Sequence, residues 1–480
     1  MTAQRLLLIA MLVLLGNGLR SVVASSVFVS EGSFASFLSI TVEATAVVME
    51  LLMGAVLVSL LVAPWIMRRI APWRLAILMC LLAGAALAGL GGMFYASPPV
   101  DLRVAGVILL FPLIGFALAT LAPISQIWTS RGGPHWDKTL TGVWSVAMPL
   151  AFLVTPQLVR VVAPRYGLDV FFAGLAALTV AMIGAILLMG RATAAATDEK
   201  STSPALLPAP LMRAALLALV VFEGLTFVIS LETISSPLVW PLAAGLIASG
   251  WYLFLVWRAR PARPAPAEGQ GSRRIACLFI SLFLLNVATT GFFDTAYLVR
   301  HACSTTLIAD RATMAALAQV IAATATAAML ARWQVHTALI AAGLFIAAIG
   351  LASYLAYPGV LAAAMLPIPE NALFVASRLF TGFGTGMATT ATVFAVSQLA
   401  GKNGGAQLFL AFVIIIGTEV GLEGFEVLSQ IVTQTAQTTV PPYAAIFLLQ
   451  AIVALLAIMP LSLATRGTRQ DEKGLRRTSA

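Results

Sequence analysis

Nine ionisable residues sit inside long apolar runs of this 480-residue sequence: Arg20, Glu43, Glu50, Glu223, Asp294, Arg378, Glu419, Glu423 and Glu426. A charged side chain at the middle of a bilayer costs roughly 2.5 to 3.5 kcal/mol even on a lenient scale, so these residues are the first candidates for chemistry. Glu419, Glu423 and Glu426 follow an i, i+4, i+7 spacing and project from one helical face. Gly417, Gly421 and Gly424 repeat the spacing two positions earlier, which turns them roughly 200° to the opposite side. The pattern predicts a smooth side for close helix packing and an acidic side facing an aqueous cavity, or solvent at an outer helix end.

Glu43 and Glu50, seven residues apart, also share a face. At about 1.5 Å per residue, Arg20, Glu50 and Glu419 lie about 20 Å from the cytoplasmic end of their helices. Glu43, Asp294, Arg378, Glu423 and Glu426 lie about 27 to 32 Å up. Each layer then holds one arginine and an excess of acids. The expected pairs are Arg20 with Glu50 or Glu43, and Arg378 with Asp294 or a glutamate near 419 to 426. Acids crowded in a low-dielectric cavity favour retention of a proton by one of them, which is the chemistry needed to couple proton flow to transport. Static ion pairs that only fix helix packing are the competing reading. Glu223 has no obvious partner nearby in the sequence and receives no role.

These residues need long apolar helices to hold them. The chain is 60% hydrophobic and 10% charged, with a mean hydropathy of +0.98, whereas soluble domains carry about 25% charge. A water-soluble globule is excluded, because even a large folded domain leaves roughly a quarter of its unfolded surface exposed. Runs of about 20 apolar residues, each able to cross a 30 Å hydrocarbon core, predict fourteen spans. They fall near 6–28, 38–63, 74–97, 104–128, 140–163, 168–190, 211–231, 236–258, 275–298, 305–330, 335–357, 371–398, 405–430 and 441–464. The implied organisation is an N-terminal six-helix bundle (1–190), a cytoplasmic linker (191–210), an inserted two-helix hairpin (211–258), a second linker (259–274), a C-terminal six-helix bundle (275–465) and a basic tail (466–480).

With a cytoplasmic N-terminus, inside segments hold twenty-one of the 28 lysines and arginines, against five in outside loops (Arg103, Arg160, Arg165, Arg300 and Arg311). Both termini are therefore expected in the cytoplasm. The net charge of +9 reflects topology and does not call for a nucleic-acid partner. Cys80, Cys277 and Cys303 have no metal-like spacing, and neither a nucleophile elbow nor a phosphate-cradling glycine loop is present. No cofactor, metal or enzymatic reaction is expected.

Three further features bear on family. Two short basic connectors occupy equivalent places in the two halves: Trp65 to Arg74, with Arg68 and Arg69, and Leu330 to His336, with Arg332. Pro156 is followed by Gly167-Leu168-Asp169-Val170-Phe171-Phe172. The predicted twelfth span contains Arg378-Leu379-Phe380-Thr381-Gly382-Phe383-Gly384-Thr385-Gly386. On these motifs the chain resembles the major facilitator superfamily, in its fourteen-helix drug–proton antiporter-like branch. The connectors are similar to its Gly-x-x-x-Asp-Arg-x-Gly-Arg-Arg loop, with Met67 near the position of the aspartate. Pro156 and the segment after it are similar to its antiporter motif, with Thr155, Val159 and Arg160 in place of glycines. The Arg378 run is similar to the Arg-x-x-x-Gly-x-Gly signature, usually carried in the fourth helix, where this chain has Phe111 instead of the arginine.

The resemblance implies an all-α membrane protein of the bacterial inner membrane, with two six-helix bundles around a midplane cavity. It implies alternating access, with small-molecule export driven by protons. An acidic cavity suits cationic or neutral amphipathic substrates, while Arg20 and Arg378 could equally orient an anion. Fourteen helices also occur in metabolite or siderophore exporters and in lipid-precursor flippases. The altered motif positions leave open a transporter-like protein that acts in assembly or sensing. Arg68, Arg69 and Arg332 are the expected conformational loops, and Gly382, Gly384 and Gly386 are expected to pack the twelfth span.

Overall fold

A computed structural model of the chain describes residues 3–41, 45–129, 136–193, 209–229, 239–258, 269–290, 305–353, 370–400, 405–435 and 442–463. Among these residues every regular element is a helix. In chain order they are α1 (Ala3–Val29), α2 (Glu31–Leu38), α3 (Thr45–Ile66), α4 (Pro72–Ala96), α5 (Val100–Thr129), α6 (Asp137–Thr193), α7 (Ala209–Ile229), α8 (Val239–Arg258) and α9 (Gly269–Ala288). There follow α10 (Thr305–Arg332), α11 (His336–Ala352), α12 (Glu370–Ala400), a 3-10 turn (Gly405–Phe409), α13 (Leu410–Thr435) and α14 (Pro442–Leu456). Among the described residues ten helices are long and apolar enough to cross a membrane, and Trp240–Leu255 and His336–Ala352 are shorter apolar helices.

Local chemistry accounts for several boundaries. Pro72 opens α4 at a position where its missing N–H costs nothing. α6 is a single 57-residue element interrupted at Gly167, whose φ of 90° and ψ of 163° belong to a region open essentially to glycine alone. A Cβ there would also run into the Asp169 carboxylate. The predicted fifth and sixth spans are thus joined through one glycine. α2 was not expected from the pattern. It is held by aromatic packing: Phe34 meets Phe94, Phe111 and Phe172 edge-on at 5.2, 5.7 and 6.2 Å, and Phe37 stacks on Phe94 at 4.2 Å. The Arg103 guanidinium donates to the Phe37 carbonyl and lies 5.3 Å from the centre of its ring. The end of the predicted second linker is also helical, because α9 starts at Gly269, once the last proline of that stretch is passed.

The helices sort into two compact units. One draws on Met1–Leu206, Leu219–Phe254 and Lys402–Phe412, and the other on Leu207–Ala218, Leu255–Gly401 and Val413–Ala480. In the first, α4 packs on α6 where Gly84 meets Thr179 and Gly91 meets the Asp169 backbone. α3 packs on α5 where Gly115 meets the Leu52 carbonyl and Ser59 hydrogen-bonds Thr120 at 2.7 Å. The 3-10 turn at Gly405–Phe409 lies against α3 and α5, which explains why a stretch inside the predicted C-terminal bundle packs with the first unit. In the second unit, α12 lies between α10 and α11, and α9 packs with α12 and α14.

Candidate functional site

In the first unit, glycines seat α1 closely against two neighbours. A Cβ on Gly16 would stand 2.7 Å from Ser125 Cβ of α5, and one on Gly18 would stand 3.3 Å from the Ala147 carbonyl of α6. Between these contacts Asn17 donates its Nδ2 to the Trp144 carbonyl at 2.8 Å, and Trp144 Nε1 donates to Ser125 Oγ at 3.1 Å. Arg20 lies one turn further along, 5% exposed. Its Nη2 donates to Asn17 Oδ1 at 3.3 Å and reaches Met148 Sδ at 3.9 Å. The expected pair with Glu50 is not formed. The packing of α1 on α5 and α6 turns Arg20 to α6, whereas Glu50 is buried on α3. Glu43 lies outside the described residues.

The second unit separates packing from charge. On α13, Gly417 faces α9 with its Cβ position 2.8 Å from the Phe283 carbonyl, and Gly421 meets the Val287 carbonyl more closely still. Glu419 and Glu423, 6% and 4% exposed, occupy the side roughly 200° away. Burial excludes a solvated helix end for these two. Gly424 continues the spacing and meets nothing within 4 Å among the described residues. Asp294 and the side chain of Glu426 lie outside the described residues.

On α12, Gly382 and Gly386 admit the backbone of α10 at Ala315 and Gln319, while Gly384 admits α11 at Gly343 and Ala347. Arg378 is buried one turn before Gly382. The reciprocal glycines, Gly343 and Gly350, were not singled out in the sequence. Their seven-residue spacing on an apolar helix is the signal that could have found them.

In the hairpin, Arg213 donates to the Trp257 carbonyl at 3.5 Å and lies 5.7 Å from the ring centre. Ten residues along α7, Glu223 is buried and accepts a hydrogen bond from Ser249 Oγ of α8 at 3.1 Å. Gly245 leaves room for that carboxylate, 3.5 Å from its Cβ position. The partner missing from the local sequence is thus on the other arm of the hairpin. The basic connectors lie at the surface: Arg68, Arg69 and Arg332 are exposed, with Arg69 4.5 Å above the Trp65 ring. Met67 is buried, so an apolar contact takes the position that the resemblance gives to an aspartate. Among the described residues no group of three or more His, Cys, Asp or Glu is placed to hold a metal ion.

No protein-family model and no curated protein matches the sequence. Solved structures do match over nearly the whole chain. The proton:xylose symporter XylE, of the major facilitator superfamily, is 12% identical over 96% of this chain and 95% of its own, with a TM-score of 0.56. The E. coli fucose:proton symporter FucP is 13% identical over 96% and 98%, with a TM-score of 0.53. A bacterial homologue of the iron transporter ferroportin, in an outward-facing state, is 14% identical over 95% and 99%, with a TM-score of 0.56. The chain is an integral membrane protein with the major facilitator fold.

Proposed function

We propose that the chain is a secondary active transporter that exports a small molecule across the bacterial inner membrane by alternating access, driven by protons. The observation that carries this reading is the buried acid pair Glu419 and Glu423, one turn apart on the face of α13 turned away from its glycine contact. Two carboxylates held this way in hydrocarbon are stable only when paired or protonated, and a group that alternates between those conditions can link proton movement to a conformational cycle. The activities of two structural neighbours, both proton symporters, support the proton half of the proposal. Export follows from the resemblance to the drug–proton antiporter-like branch.

Fourteen spans belong to the same reading. They follow when α6 is divided at Gly167 and α8, α9 and α11 are added to the ten helices long and apolar enough to span among the described residues. Both termini are then cytoplasmic, as the arginine and lysine distribution requires. The test uses purified protein in liposomes with an imposed pH gradient and a pH-sensitive dye inside, challenged with cationic, neutral and anionic amphiphiles. Wild-type protein is expected to move protons only with a transported compound. Glu419→Gln and Glu50→Gln are expected to abolish or strongly reduce pH-driven flux, and wild-type flux in both would overturn proton coupling through these acids. A complete lack of compound-dependent proton movement would favour an assembly or sensing role, the reading to which the buried Met67 points.

A further inference from the structure

We infer that Arg20 is a receiving site for an anionic oxygen group, a carboxylate or a phosphate, on the molecule this protein carries; the inference rests on the transport reading above. Arg20 is 95% buried by its 5% exposure, and among the described residues no carboxylate pairs with it. One nitrogen, Nη2, is engaged, by Asn17 Oδ1 at 3.3 Å and by the weakly accepting Met148 sulfur at 3.9 Å. Nε and Nη1 are buried without a hydrogen-bond partner. A guanidinium keeps its charge and presents five donors in a planar fork matched to carboxylate and phosphate.

The surroundings are built to hold this group. Asn17 is fixed through Trp144, and Trp144 through its indole N–H to Ser125 and to the Ala122 carbonyl at 3.3 Å. Ser125 is itself tied to the Ala122 carbonyl at 2.7 Å. Three helices thus fix the amide acceptor that orients the guanidinium, and leave Nε and Nη1 unused. For packing alone the arrangement is poor. A buried charge without its counter-charge destabilises a fold, and an apolar or neutral side chain of similar volume would serve better. An anion arriving from outside the chain supplies the missing counter-charge, and the pre-set fork needs little ordering to receive it.

The experiment is a binding measurement without a gradient, on full-length protein in neutral detergent at fixed ionic strength. Thermal unfolding is followed with benzoate, phenyl phosphate, benzyl alcohol and benzylamine as probes. Wild-type protein is expected to be stabilised in a concentration-dependent way by benzoate or phenyl phosphate, and not by the alcohol or the amine. The arm that responds identifies the anion. Arg20→Gln is expected to weaken that affinity about 10- to 100-fold, the loss of a charge-assisted hydrogen-bond pair, while its unliganded Tm stays at or above the wild-type value. Equal responses to all four probes would overturn the inference. So would an Arg20→Gln protein that unfolds earlier and is rescued by Glu50→Gln, because rescue reveals a structural ion pair. Anion binding without any compound-driven flux would overturn transport and leave the site standing. Unchanged flux of the carried compound in Arg20→Gln would do the reverse.

Discussion

The buried arginine of α1 and the buried glutamates of α13 are held in opposite ways. Around Arg20 polar links run across the glycine contacts of α1: Asn17 joins α1 to α6, and Trp144 joins α6 to α5. On α13 the interface is made by absence, since Gly417 and Gly421 let the backbone of α9 approach and the acids take no part in that contact. The difference shows two ways to keep a charge inside a membrane protein. Side-chain hydrogen bonds immobilise the charge where it sits. Small-residue packing secures the helix on one side and leaves the buried acids outside that contact.

The largest effect is expected from closing a glycine contact. Gly384→Leu would drive its side chain into the α11 backbone at Gly343 and Ala347, so folded protein should be lost, seen as absence of a monodisperse peak in detergent chromatography. Gly424→Leu, with nothing within 4 Å among the described residues, should leave the peak intact; similar behaviour of the two would break the contrast. A smaller effect is expected at the polar interface. Asn17→Ala removes a buried hydrogen bond and leaves Arg20 less satisfied, a cost of about 1 to 3 kcal/mol, which should appear as a lowered Tm. Thr385→Val, whose hydroxyl serves only its own helix at the Thr381 carbonyl, should lower Tm less, and the opposite order would show that polar links do not organise α1. The smallest effect is expected at Ser249→Ala, about 0.6 kcal/mol, typical of interhelical hydrogen bonds in membranes. A loss several times larger would mark the Glu223 contact as the main support of the hairpin.

What could be read from the sequence was local in origin. The opposed faces of α13 follow from a 3.6-residue period, and the apolar runs follow from hydrocarbon thickness, so both were visible without coordinates. Partners were less accessible. Charge alone gives Arg20 an acid as partner, yet Gly16 and Gly18 seat α1 against α5 and α6, and the amide at Asn17 takes the contact. Glu223 found Ser249 on an antiparallel arm. α2 escaped notice because eight residues are too short for periodicity to speak, and only the phenylalanines from α4, α5 and α6 reveal what it packs against. Gly424 keeps the pattern without a neighbour to approach among the described residues.

Gly167 joins the two halves of α6 with no spare chain. A loop with slack could absorb an added or deleted residue. Here one extra residue after the glycine would rotate the whole following helix by about 100°. Phe172 would turn away from Phe34 and Phe94, and Thr179 would leave Gly84. The junction should therefore tolerate changes of residue type at neighbouring positions far better than changes of length, and sequences of common descent with this chain should keep its spacing here even where they vary in the longer connections.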